Sequence, residues 1–182
     1  MDAATLTEIA DLTRTRNAID ERIATITRRP ALAGHIGDWI AAGIFDIAPE
    51  ASATAKAIDG RFRSGPLAGK TVNIKTYGER EGILDTTDDP ILNYYLVLCG
   101  PRAVSMTSKR GTRPWCITNV YLFDAKEIRA DQVARNIKRG TASRHRAALW
   151  TVAAIYPNPA GNILPLTPAQ QTALAQFAPD ES

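Results

Sequence analysis

Three polar residues in two neighbouring segments have types and spacing suited to chemistry. Asp59 lies in an alternating run over 57–63, and Asn73 and Lys75 lie in a second run over 70–77. A glycine-rich turn joins the two runs, a pattern typical of a β-hairpin. Because residues two apart on a strand share a face, strand pairing would bring a carboxylate, an amide and an amine together. The sequence therefore predicts one polar cluster on the hairpin.

The same residues also have purely structural interpretations. Asp59 precedes Gly60, and Asp-Gly is a strong turn dipeptide. Lys75 fits a solvent-facing lysine of a strand, with Asn73 as its polar neighbour. The residues alone leave both interpretations open.

The order of Asp59 and then Asn73-Ile74-Lys75 resembles the PD-(D/E)XK nuclease superfamily. In that pattern an acid on one strand is followed, after a turn, by an acid, any residue and a lysine on the next strand. Many members add an acid on the preceding helix, and Asp38 is the corresponding residue here. Three surrounding segments are similar to an uncharacterised bacterial family with this core: 34–37, 58–60 and 72–75.

The resemblance implies both a fold and an activity. The fold is α/β, with a restriction-endonuclease-like αβββαβ core, a mixed central sheet flanked by helices, and here an extra long N-terminal helix. The activity is metal-dependent hydrolysis of DNA phosphodiester bonds, in restriction, repair or defence. The alternative is a non-catalytic nucleic-acid-binding or protein-interaction module that retains the nuclease fold.

The resemblance also assigns roles to the site residues. Asp59 is the expected principal ligand of a Mg²⁺ or Mn²⁺ ion, and Asp38 is expected to be a second ligand or to hold a metal-bound water. Lys75 is expected to orient or deprotonate the attacking water, or to stabilise charge on the phosphate. Asn73 departs from the pattern, which has Asp or Glu there and sometimes Gln. Its carbonyl can ligate a hard cation but brings no charge, so we expect weaker metal binding.

The elements that must position these residues follow from the apolar periodicity. A long helix is predicted over 5–27, opened by a capping box of Thr5 and Glu8. Its narrow apolar stripe is expected to pack on the body of the domain or on another copy of the chain, as a homodimer. We therefore predict an N-terminal helix in 1–30 and one nuclease-like domain in 31–182.

Further helices and strands are predicted along the rest of the chain. The helices are expected over 34–45, over 125–137 with Asp124 as its cap, and from Thr167 onwards. The strands are expected over 57–63, 70–77, 92–99 and 115–123. The segment 141–156 fits either a helix or a strand.

Basic residues are concentrated in one part of the chain. The segment from Arg102 to Arg146 has eleven Lys and Arg residues against three acids, so it carries +8 although the whole chain carries +3. Such asymmetry favours an anionic partner such as DNA, although an ordinary solvated surface has the same composition. The predicted nucleic-acid contacts are Lys138, Arg139, Arg144 and Arg146.

Several other classes are not predicted. No apolar run approaches the ~18 to 20 residues that cross a bilayer, and the N-terminus lacks signal-peptide features, so we expect a cytoplasmic protein without a membrane partner. Cys99 and Cys116 lie in apolar runs and are expected to be reduced and buried. His35 and His145 are too isolated to form a metal cluster. His145 lies in a segment that we expect to contact phosphate.

Overall fold

The computed structural model describes residues 2–50, 57–101, 115–161 and 164–179. The helices are α1 (Ala3–Thr27), α2 (Ala33–Ile44), α3 (Ala125–Ala134), α4 (Ala147–Ala153) and α5 (Pro168–Ala175). The strands are β1 (Ile47–Pro49), β2 (Gly60–Phe62), β3 (Thr71–Tyr77), β4 (Ile83–Leu84), β5 (Tyr94–Cys99), β6 (Asn119–Asp124), β7 (Ser143–Arg144) and β8 (Ala154–Tyr156).

Six of these strands form one mixed sheet in the order β1-β2-β3-β5-β6-β8. Strands β3 and β5 are parallel, in a register that runs from Val72 beside Tyr94 to Tyr77 beside Cys99, and the other neighbours are antiparallel. Strands β4 and β7 pair separately as a small ribbon. The predicted α/β fold, with a mixed central sheet, flanking helices and a long N-terminal helix, is confirmed.

Helix α2 covers one face of the sheet. Its Ile40 and Ala41 share a buried cluster with Val72 and Ile74 of β3. At Gly37 the helix comes so close to the strand that an added Cβ would lie 1.9 Å from the hydroxyl of Thr76. Glycine at this position therefore lets α2 sit directly against β3.

The opposite face of the sheet packs against α3 and α4. Tyr95 and Val97 of β5 share a second buried cluster with Ile128 of α3 and Trp150 of α4. Because side chains alternate along a strand, the odd-numbered residues of β3, including Asn73 and Lys75, face this side.

The structure corrects several predicted boundaries near the N-terminus and the hairpin. Helix α1 begins two residues earlier than predicted, because the Asp2 carboxylate, and not Thr5, caps it by accepting a hydrogen bond from the Thr5 amide at 2.7 Å. The run 57–63 contributes only Gly60–Phe62 to the sheet, so Asp59 lies just before β2. Strand β1 was not predicted, since its three residues are too few to show alternation.

Other predicted elements are confirmed with shorter or shifted bounds: α2 lies one residue earlier than predicted, and β6 starts and ends later. Helix α3 ends at Ala134, and Asn136 follows in the left-handed conformation with φ of 54°. The ambiguous segment 141–156 contains a helix and two strands, β7, α4 and β8. Helix α5 begins after Thr167, which forms a capping box with Gln170.

Two predictions from composition can also be compared with the structure. Cys99 and Cys116 are free and buried, and burial raises the pKa of the Cys99 thiol to about 12. Among the described residues, no helix has the length and apolar character needed to cross a membrane.

Candidate active site

Asp59 occupies the point where β2 and β3 separate. Their pairing ends with Gly60 beside Val72, and the Asp59 amide still donates to the Val72 carbonyl at 2.9 Å. The Asp59 carboxylate then accepts a hydrogen bond of 2.6 Å from the Ile74 amide, which β2 no longer pairs. This hydrogen bond fixes the position of the Asp59 carboxylate and uses only one of its two oxygen atoms.

The Asp38 carboxylate lies close enough to Asp59 for the two charges to repel. Burial raises the pKa of Asp38, the neighbouring Asp59 raises it further, and Arg29 partly offsets both effects. Burial also raises the pKa of Asp59, against the hydrogen bond from Ile74 and the attraction of Lys75 and Arg29. Two half-buried carboxylates that repel each other form a site that favours a bound cation.

Two charged residues that the sequence interpretation did not include complete this cluster. Arg29 follows α1, and its guanidinium donates to Asp38 at 2.9 Å. The Lys75 ammonium lies 3.4 Å from the Asp85 carboxylate, just after β4. Asp85 belongs to an acidic loop visible in the sequence, but nothing local indicated that this loop returns to β3.

Asn73 is buried in the same region, with 5% of its surface exposed. Its Nδ2 donates to the Ala57 carbonyl at 3.1 Å and so ties the segment before Asp59 to β3. Its Oδ1 is buried and has no hydrogen-bond partner among the described residues. Buried oxygens are normally satisfied, so this carbonyl is an available acceptor or ligand.

The donor set fits a hard divalent cation. Carboxylate and amide oxygens from Asp38, Asp59 and Asn73 are the ligands that Mg²⁺ and Mn²⁺ prefer. Within the described ranges no group of three or more His, Cys, Asp or Glu residues forms a metal site. Asp38 and Asp59 interact directly, and their two negative charges match one divalent ion. Asn73 faces the α3 and α4 side of β3, whereas α2, which carries Asp38, covers the other side.

The four predicted nucleic-acid contacts differ in their surroundings. Arg139 pairs with Asp88 at 3.4 Å, and Arg146 pairs with the buried Asp131. Lys138 and Arg144 are exposed and have no ion pair in the part of the chain that the structure describes. The first part of the basic segment, 102–114, lies outside the described residues.

Arg144 borders a groove of about 990 Å³ between the β4–β7 ribbon and the edge of the sheet. The groove is lined by basic, polar and aromatic side chains, among them Arg80, Asn119, Trp150 and Tyr156. The Arg80 guanidinium donates to the Tyr121 hydroxyl at 2.8 Å, which fixes one positive charge at the groove wall. Glu81 also lines the groove and reduces its positive charge.

The His145 side chain is buried, so Arg144 and Arg146 are the side chains of its segment that are exposed for the expected phosphate contact. The His145 Nδ1 lies 3.4 Å from Asp131, and its Nε2 lies 3.1 Å from the Ser143 hydroxyl. Burial lowers the pKa of His145, although Asp131 partly offsets this. Burial opposes ionisation of Asp131, but bonds from Arg135, His145 and Arg146 outweigh it and lower its pKa. This network fastens β7 to α3.

No protein-family model matches the sequence, and no curated protein is significantly similar to it. Function is therefore inferred from the chemistry and geometry of the site, because a fold alone does not determine function.

Arg29→Gln is expected to tighten Mn²⁺ binding by roughly three- to tenfold, because the guanidinium now neutralises the carboxylate that a metal would need. Isothermal titration calorimetry of the full chain measures this. Binding should also strengthen as the pH rises, since protons compete for two carboxyls whose pKa values are raised. The neighbouring exposed Arg28→Gln is the matched control, and equal affinities of the two variants would contradict the role of Arg29.

Proposed function

We propose that this chain is a cytoplasmic, metal-dependent DNA nuclease of the PD-(D/E)XK type. The observation that carries the proposal is the meeting of Asp38, Asp59 and Lys75 where β2 separates from β3. Beyond Val72, β2 no longer pairs with β3, and the Asp59 carboxylate takes the place of a strand partner for the Ile74 amide. Helix α2, the segment just before β2, and strand β3 each contribute one of the charged groups.

The order of elements supports a restriction-endonuclease-like αβββαβ core. Helix α2 is followed by the antiparallel strands β1, β2 and β3, and the chain then crosses to β5, which is parallel to β3. Parallel neighbours require such a crossover. Here the crossover between β3 and β5 contains β4 where the αβββαβ pattern has a helix.

Each charged group of the site has a separate role in the proposed hydrolysis of a phosphodiester. A bound Mg²⁺ supplies positive charge that polarises the phosphate. Asp59 and Asp38 would hold that ion, with the unpartnered Asn73 carbonyl as the third oxygen of the proposed ligand set. Lys75, kept in place by Asp85, donates a hydrogen bond to the attacking water or to a phosphate oxygen.

The direct test is incubation of the full chain with supercoiled plasmid and linear duplex DNA. Nicking or cutting in Mg²⁺ or Mn²⁺, and its loss in a chelator, is the expected result.

The second candidate function, a non-catalytic DNA-binding module, is favoured by Asn73 in place of an acid and by the Arg29–Asp38 ion pair. Binding of DNA without cleavage in either metal would establish that function instead.

The exposed cations Lys138 and Arg144 are expected to bind phosphate. Each phosphate contact releases counterions, so replacing both residues with Gln should reduce the log–log salt slope of duplex binding by about 0.9 per lost contact. Affinity should fall equally on different sequences, because phosphate contacts position the protein without specifying bases. Fluorescence anisotropy at several salt concentrations measures both effects.

Arg61→Gln with Lys70→Gln is the matched control for this experiment. Both residues are exposed and lie on the β2–β3 hairpin, so the pair removes the same charge from another surface. An equal loss of affinity in the two double variants would show that only the net charge matters.

A further inference from the structure

Most of α1 extends away from the body of the protein. Every described side chain from residue 4 to residue 19 is exposed. Partial burial begins at Asp20 and recurs at Ile23, Ala24 and Thr27, where the last turns of the helix contact α2. A 25-residue helix is about 37 Å long, so well over half of its length has no covering element among the described residues.

This exposed length carries an ordered apolar stripe. Five large apolar side chains on it are 55 to 61% exposed: Leu6, Ile9, Leu12, Ile19 and Ile26. From Ile9 onwards, apolar residues recur at alternating spacings of three and four, with Arg16 as the single interruption. Apolar residues at alternating spacings of three and four form the contact surface between the helices of a two-stranded coiled coil. Helices in proteins gain most of their stability by packing such a stripe, so we expect another helix to cover it.

The charges at the two ends of α1 identify a second copy of α1, in antiparallel orientation, as that helix. The first stretch, 2–11, contains three acids and no base, whereas the stretch 22–29 contains three arginines and no acid. An antiparallel pair places each acidic stretch beside the basic stretch of the partner, at both ends of the interface. A parallel pair would place like charges together, which is unfavourable at both ends.

Arg16 gives a second reason for the antiparallel orientation. In the heptad pattern it shares its position with Ile9 and Ile23, whereas Leu12, Ile19 and Ile26 take the other core position. Parallel helices would set the two Arg16 side chains directly against each other. Antiparallel helices set each core position against the other type, so Arg16 would face an isoleucine or leucine of the partner. Its guanidinium already lies 3.7 Å from Asp20, which draws the charge to the edge of the stripe.

We propose that the protein forms a homodimer through antiparallel pairing of α1 from two copies of the chain. The apolar stripes form the centre of this interface, and the complementary end stretches 2–11 and 22–29 fix the orientation. The inference is independent of nuclease activity, because it uses only α1.

Sedimentation equilibrium of the full chain tests the dimer. The wild type is expected to be dimeric at micromolar concentration, and Ile9→Asp with Ile19→Asp is expected to weaken dimerisation at least about a hundredfold, because four charges would enter the interface. Val133→Asp with Val152→Asp is the matched control. These residues are 64% and 60% exposed on α3 and α4, outside the stripe, and should leave the dimer intact.

Cysteine cross-linking tests the orientation, since the native Cys99 and Cys116 are buried. A mixture of Ile9→Cys and Ile26→Cys chains should form an intermolecular disulfide, because these two core positions face each other in the antiparallel pair, and neither variant alone should. Cross-linking within each single variant would demonstrate a parallel pair and overturn the proposal. A wild type that stays monomeric at micromolar concentration would overturn it as well.

The experiments distinguish a failure of the proposed dimer from a failure of the proposed nuclease activity. A monomeric chain that cuts DNA contradicts only the α1 pairing, and a dimer without cleavage contradicts only the proposed activity. Circular dichroism of the stripe variants shows whether they remain folded. If α1 loses helicity in them, the charge-only variant Glu8→Arg, which leaves the stripe intact, should still weaken the dimer.

Discussion

Asp59→Asn and Lys75→Met are each expected to reduce Mg²⁺-dependent DNA cleavage by about a thousandfold or more. Asn retains an oxygen that can accept the hydrogen bond from the Ile74 amide, but it removes the charge that binds the metal. Met retains the aliphatic stem of Lys75 and removes the ammonium that reaches Asp85. Single-turnover cleavage with saturating enzyme measures the chemical step in both variants.

The controls separate catalysis from folding. Lys70→Met changes an exposed lysine at the far end of the same hairpin and should cut at the wild-type rate. Melting temperatures of the two site variants should lie within roughly 4 °C of the wild type, because neither change leaves a buried group unpaired. Cleavage at the wild-type rate by either variant would show that the residue it replaces takes no part in catalysis.

Much of this site could be predicted because its parts are local in sequence. Alternation over 70–77 places Asn73 and Lys75 on one face of β3, and the glycine-rich turn returns the chain so that Asp59 meets that strand. The position of Asp38 follows less directly. It depends on Gly37, whose missing side chain allows the helix to approach Thr76, and a helical pattern alone does not show that approach.

Contacts between distant parts of the chain could not be predicted. Arg29 meets Asp38 because the chain turns after α1, and Asp85 meets Lys75 because β4 pairs with β7. His145 shows the same limit. Its sequence neighbours Arg144 and Arg146 suggest a solvated, basic segment, whereas the fold buries the imidazole against Asp131. Burial of this kind depends on tertiary packing. Strand β7, which precedes His145, has only two residues and is too short to show a periodic pattern.

Asn73 connects the architecture of the site to its chemistry. Its Nδ2 holds the Ala57 carbonyl, which is a structural task, while its Oδ1 remains without a partner. An acid at this position, as in the PD-(D/E)XK pattern, could not donate to Ala57 in its charged form. The amide therefore supports the segment before Asp59 but lacks the negative charge of an acid, so the proposed metal site would depend more heavily on Asp38.

Asn73→Asp is expected to destabilise the metal-free protein by roughly 2 to 4 kcal/mol, because it buries a charge and leaves the Ala57 carbonyl without a donor. A protonated carboxyl could still donate to Ala57, so burial should raise the pKa of the introduced group. Its folded-state pKa then exceeds the unfolded value, and its contribution to stability is present at low pH and lost as the pH rises. Urea unfolding in a chelator at several pH values measures this loss.

Metal should reverse the destabilisation only if Asn73 belongs to the metal site. Binding to the folded state alone stabilises by about 2.7 kcal/mol at a metal concentration of one hundred times Kd, so Mn²⁺ should return the Asn73→Asp variant to near wild-type stability. Asn73→Ala is the matched control, since it removes the same donor without adding a ligand and should gain less. If Mn²⁺ stabilises the two variants equally, the unpartnered Oδ1 does not face the cation, and Asp38 and Asp59 must hold it without Asn73.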